Sequence, residues 1–118
     1  NAPGLAANYK PNPNTYDALY VPRVSYNTGT LDIHDLSWAK DKLIAVNTLF
    51  CCLMVNSDEF SFKPVWKPHF VSELMPEDRC HLNGMTLENE QPKYVTALGA
   101  TNTPRGWKEG MLTSGILM

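Results

Sequence analysis

From Leu31 onward, short apolar and β-branched runs alternate with turns of a few residues, and that alternation limits the chain to a small set of folds. "DLSW" (35–38), "KLIAVNT" (42–48), "CCLMVN" (51–56) and "FSFKPVW" (60–66) each read as a strand, with "AKD" and "SDE" among the turns between them. Strands this short, joined this tightly, predict an antiparallel meander. In the last run Phe60, Phe62 and Pro64 fall on one face and Ser61, Lys63 and Val65 on the other, because strand side chains alternate.

The rest of the chain is less regular. Residues 1–15 hold four Asn and three Pro and read as loop. "YDALYVPRV" (16–24) has strand composition, and Pro22 places it at a sheet edge or bulge. "NTG" (27–29) marks a turn. "KPHFVSELMPEDRCHLN" (67–83) is a connection, within which "HFVSELM" predicts a single helical turn. "GMTLEN" and "KYVTALG" read as two further strands, "TNTPRGWKEG" (101–110) as a loop, and "GILM" as the start of a third strand.

The two halves align with each other. Matching Leu36 to Met85 and Ala45 to Val95 needs one inserted residue and gives a period of 49–50 residues. A four-stranded repeat near that length has the size of a propeller blade. The fold expected is all-β: a partial β-propeller of about two four-stranded antiparallel blades. On this reading 16–30 ends a preceding blade, 31–66 forms one blade, 67–83 connects, and 84–118 begins the next. The chain lacks an initiating Met and stops on "GILM", so it is expected to be an internal segment of a longer protein. Taken alone it should expose apolar faces and a free strand edge to the remaining blades.

Composition narrows the function classes. The 118 residues are 43% hydrophobic and 19% charged, as in a globular domain. A net charge of −2 with ten scattered basic residues argues against nucleic acid and against an anionic membrane surface. "LFCCLMV" (49–55) is too short to span a bilayer, and no signal peptide opens the chain. Cys51, Cys52 and Cys80 form neither a zinc spacing nor a CxxC motif. As buried thiols they suit a reducing, cytoplasmic setting.

"NAPGL", "YDALYVPR", "TLDIHDLSW", "VNTLFCCL", "FSFKPVWKPHFVSELMPEDRCHLNGM" and "YVTALGATNTPRGW" together resemble, nearly end to end, a bacterial family known only as a domain of unknown function. "PEDRCHLNG" and "YVTALG" are the most specific parts of the match. The resemblance implies a protein about three times this length built as a β-propeller, and it implies no activity, substrate or catalytic residue.

Two polar clusters stand out: Asp32, His34 and Asp35 in "LDIHD", and Glu77, Asp78, Arg79, His81 and Asn83 in "PEDRCHLN". In the repeat alignment Asp35 falls on Asn83, at the start of each blade's first strand, the strand that lines a propeller's channel. Oxygens converging there from several blades suit a hard divalent cation such as calcium, and sugar-lactonase-like propellers resemble this arrangement. Asp35 and Asn83 are therefore the candidate metal ligands. His34, Asp35, Arg79, His81, Asn83 and Trp107 form the candidate ligand-binding set, with His34 or His81 available for proton transfer. The competing reading makes Asp35 and Asn83 caps of strand-entry turns and Arg79 a structural fork to Asp78 or Glu77.

Ser25, Ser37 and Ser72 lack a nucleophile elbow, Cys80 and His81 should diverge as strand neighbours, and "GATNTPRG" is no phosphate loop. Trp38 and Trp66 are expected in the core. Trp107, between Arg105 and Lys108, is expected on a loop, stacking on a flat ligand or sealing the edge of the next blade. The function expected is a non-enzymatic binding or scaffold module for a small molecule or a protein partner. The alternative is a metal-dependent hydrolase or lactonase of six-bladed propeller type, with His81 as acid or base.

Overall fold

The computed structural model describes residues 6–9 and 14–118, so most of the loop expected over 1–15 lies outside the described residues. Among those residues the chain forms seven strands and one short helix: β1 (Ile33–Ala39), β2 (Lys42–Asn47), β3 (Cys52–Val55), β4 (Lys63–Trp66), β5 (Leu82–Glu88), β6 (Gln91–Ala97), a 3-10 helix (Gly106–Gly110) and β7 (Ile116–Leu117). They build two antiparallel sheets, of order β1-β2-β3-β4 and β5-β6-β7. The second sheet holds three strands, as the two runs and the start of a third at "GILM" led one to expect.

The ladders explain the local pattern. Leu36, Ala45, Met54 and Pro64 lie opposite one another across the first sheet, and Ser37, Ile44 and Val55 form the adjacent rung. Opposed residues share a face, so Ile44, Val46 and Leu53 point one way, and Leu36, Ala45 and Met54 the other. The first group meets Leu82, Val95 and Ala97 of the second sheet, with Cys51, Val71 and Cys80, in one buried cluster. Leu31, Phe50 and Phe62 partly cover the opposite face over Ala45 and Met54.

The pairs matched from the sequence occupy the same rungs, since Leu36 pairs with Ala45 and Met85 with Val95. Each first strand is interrupted at the same place, by a bulge at His34 in β1 and at Asn83 in β5. Just before each strand, Asp32 (φ +55°) and His81 (φ +50°) adopt the left-handed conformation. The flanking hydrogen bonds repeat as well. Thr48 N–H reaches Asp32 O and Leu49 N–H reaches Leu31 O, as Leu98 N–H reaches His81 O and Gly99 N–H reaches Cys80 O. This register aligns Asn83 with His34 and Gly84 with Asp35, one residue away from the equivalence of Asp35 and Asn83 expected from the sequence.

Several local expectations are corrected. Residues 16–24 form no strand, because strand-forming side chains need a neighbouring edge and none of the described strands lies beside them. β4 starts at Lys63, since Phe60–Phe62 bend so that Phe62 can fold over Met54 and Ala45. "HFVSELM" contains a turn but no helix. Cys51 lies in the turn ahead of β3 with φ +54°, so Cys51 and Cys52 are not neighbours within one strand. Trp38 and Trp66 are 69% and 38% exposed instead of buried: Trp38 lies on the outer face outside the Leu31, Ala45 and Met54 cluster, and Trp66 on the edge strand β4.

Candidate functional site

The starts of β1 and β5 lie at one end of the two-sheet stack, and their side chains meet there. The His34 and His81 rings stand edge to face, centroids 4.9 Å apart, and His81 lies at 4.4 Å against Trp107. Backbone conformation delivers both imidazoles. His34 is the extra residue of a bulge, and a bulge re-aims the side chain it carries. His81 has a left-handed backbone, which histidine tolerates better than most residues.

Asp78 organises this group. Its carboxylate accepts the His81 Nδ1 proton, at 3.0 Å to Oδ1 and 2.9 Å to Oδ2, and the Trp107 Nε1–H at 3.0 Å. Its own N–H donates to Leu49 O at 2.9 Å, tying the cluster to the first sheet. Because a carboxylate only accepts, the neutral His81 carries its proton on Nδ1 and presents a bare Nε2. His34 behaves alike: its Nδ1–H donates to the Asp32 carbonyl at 3.2 Å, with the Asp32 carboxylate at 3.7 Å. Side-chain exposure rises outward, from 10% at Asp78 to 20% at His81 and 32% at His34, so the two imidazoles face solvent over a buried acid.

The other candidates are held differently. Asp35 accepts Leu36 N–H at 2.8 Å and Met85 N–H at 2.9 Å, so both its oxygens face backbone amides and one of them ties β1 to β5. Asn83 Oδ1 accepts the Thr96 hydroxyl at 2.7 Å. Among the described residues no group of three or more His, Cys, Asp or Glu is placed to hold a metal ion. Arg79 is almost buried and donates to Glu77 at 2.7 Å, Asn102 at 2.9 Å, Ser72 at 3.1 Å and Glu73 at 3.3 Å. The bond to Glu77, more than any other contact, holds its pKa above the ordinary value. This fork fastens the 67–81 connection to the loop before the 3-10 helix, with Thr101 Oγ1 also donating to Arg79 O.

Trp107 is 8% exposed, on the 3-10 helix and not on an open loop. Gly106 permits the approach, since a Cβ there would lie 2.5 Å from Thr103 Oγ1. Lys108 Nζ covers the indole at 5.7 Å. Trp107 therefore backs His81 and anchors Asp78 and offers little surface to a ligand. Asp78 is the residue that sequence reasoning left out of the binding set. Its signal was its position three residues before His81, a spacing that a turn closes.

Beneath the site, Cys80 N–H donates to Cys51 Sγ at 3.3 Å. Interaction with the Cys80 side chain lowers the Cys51 thiol to about 7, while the same pairing and burial push Cys80 up. Burial raises Cys52 to about 12.

The fold and site define an all-β protein of two repeated antiparallel sheets, with a histidine pair over a buried aspartate at one end. The chain belongs to the family described as Domain of unknown function (DUF4915), whose pattern matches residues 1–118. No curated protein and no solved structure matches it. Among the described residues no helix is long and apolar enough to cross a membrane.

Proposed function

We propose that this chain is a binding module of β-propeller type, and that it holds a small polar molecule where successive sheets bring His34 and His81 together. One observation carries the reading: the two rings lie 4.9 Å apart, and each Nδ1–H is taken up by an oxygen of the chain. In its neutral form each imidazole then keeps Nε2 as an acceptor. The two acceptors suit a ligand rich in O–H or N–H donors, such as a polyol, a sugar or an amine. The repeated rungs, bulges and flanking hydrogen bonds support successive blades as the architecture.

The test is carbethoxylation of the histidines by diethyl pyrocarbonate, which attacks bare imidazole nitrogens, against a panel of small sugars, polyols and amines. One ligand class should protect His34 and His81 together while His69 keeps reacting. If no class slows either residue, the proposal fails.

The Asp78–His81 pair favours one second reading, a metal-dependent hydrolase or lactonase of six-bladed type. A carboxylate that fixes an imidazole tautomer is how proton-transfer histidines are held. That reading takes Asp35 and Asn83 as partial cation ligands, yet Asp35 turns both oxygens to backbone amides. Most of the donors to a cation would therefore come from elsewhere. Elemental analysis of the purified natural protein decides this point, and a protein free of bound metal counts against the hydrolase.

A further inference from the structure

Two of the three cysteines meet between the sheets. Cys51, in the turn ahead of β3, and Cys80, just ahead of β5, are 1% and 0% exposed and share one buried cluster, from which Cys52 is absent. Cys51 Sγ accepts Cys80 N–H at 3.3 Å across 29 positions of chain, and its S–H donates to Thr48 O at 3.5 Å. A Cα lies about 1.5 Å from its own nitrogen, so this sulfur stands within about 4.8 Å of Cys80 Cα, inside the span of a cystine. The two thiols are unequal. Interaction with the Cys80 side chain lowers Cys51, and the same pairing with burial raises Cys80. A thiolate beside a protonated thiol is the arrangement of an attacking and a resolving cysteine. Cys51 is also the easier to expose, because it sits in a turn at φ +54° and has no rung in a ladder to break.

We infer that Cys51 and Cys80 form a reversible redox pair, which hydrogen peroxide converts to a disulfide that staples the first sheet to the second. The Cys51 sulfur attacks one peroxide oxygen: an S–O bond forms, the O–O bond breaks, and the other oxygen leaves as hydroxide and takes up a proton. The Cys80 sulfur then displaces the sulfenic oxygen, forming S–S and breaking S–O, and the Cys80 proton leaves with that oxygen as water. Two thiols lose two electrons and two protons, and one peroxide becomes two waters. The bridge constrains the unfolded chain over 51–80, so the oxidised protein resists unfolding. It also fixes the backbone that carries Asp78 and His81, which lie on either side of Cys80. The inference goes beyond the ligand proposed for the histidines and does not depend on it.

Peptide mapping of the reduced natural polypeptide, exposed to hydrogen peroxide and then alkylated under denaturing conditions, tests it. A Cys51–Cys80 cross-linked pair lighter by two hydrogens should appear, dithiothreitol should remove it, and Cys52 should stay alkylated. The cross-link should form several-fold faster at about pH 8 than at about pH 6, as the thiolate fraction of Cys51 grows. Cys80→Ser should leave Cys51 as a sulfenic acid that dimedone traps, and Cys52→Ser should leave the cross-link unchanged. Treated protein in which Cys51 and Cys80 are both still alkylated overturns the inference, and this result needs no variant to fold. A bridge from either residue to Cys52 or to another molecule overturns it as well. The urea midpoint should rise on oxidation, and an unchanged midpoint in cross-linked protein overturns the staple.

Discussion

At the residue scale, Asp78 has the most to lose. It is a nearly buried carboxylate whose acceptor capacity is matched by two ring N–H groups from different segments, His81 and Trp107. Asp78→Asn would turn an amide N–H₂ toward one of those donors and leave at least one hydrogen bond unmade. The expected cost is about 1–3 kcal/mol in urea unfolding, with a shift in Trp107 emission. The thiols carry a pH dependence. The Cys80 side chain holds Cys51 down to about 7 in the folded chain against an ordinary 9.0, so its ionised form favours folding. That contribution is complete above the unfolded value and is lost as pH falls through about 7. A thiolate absorbance step near pH 7 should therefore persist in Cys52→Ser and vanish in Cys51→Ser.

At the element scale, the start of β5 shows how tightly a bulge is packed. A Cβ on Gly84 would lie 2.6 Å from Thr96 Oγ1, the hydroxyl that donates to Asn83. Gly84→Ala should destabilise by about 1–3 kcal/mol, and adding Thr96→Ala should recover most of that loss in a double-mutant cycle. β1, β2, β5 and β6 were legible in the sequence because alternation and turn chemistry act locally, and the repeat placed Leu36 and Met85 on matching rungs. What escaped depends on contacts distant in sequence. Residues 16–24 have strand composition, but composition does not supply a partner edge. Trp38 has a core residue's bulk on a face that Leu31, Phe50 and Phe62 cover only in part. The histidine pair was legible only as two candidates, since His34 and His81 lie 47 positions apart and stacking of the sheets, not spacing, brings the rings together.

At the scale of the whole molecule, the Cα radius of gyration is 17.7 Å, against roughly 13–14 Å for a compact domain of this length. Among the described residues neither sheet closes on itself, and the core shared between the two holds them together. Leu82, fully buried at that junction, is where truncation should tell most: Leu82→Ala is expected to cost about 2–5 kcal/mol, read as a lower denaturant midpoint. The bulge has a consequence at this scale too. His34 and Asn83 are the unpaired extra residues of their ladders, so neither has a rung to keep. Each repeat thereby possesses a socket at the same end of the stack, whose side chain can be exchanged without sliding any strand. Under the reading proposed above, the ligand contact made by His34 and the stability of the sheets are separately adjustable.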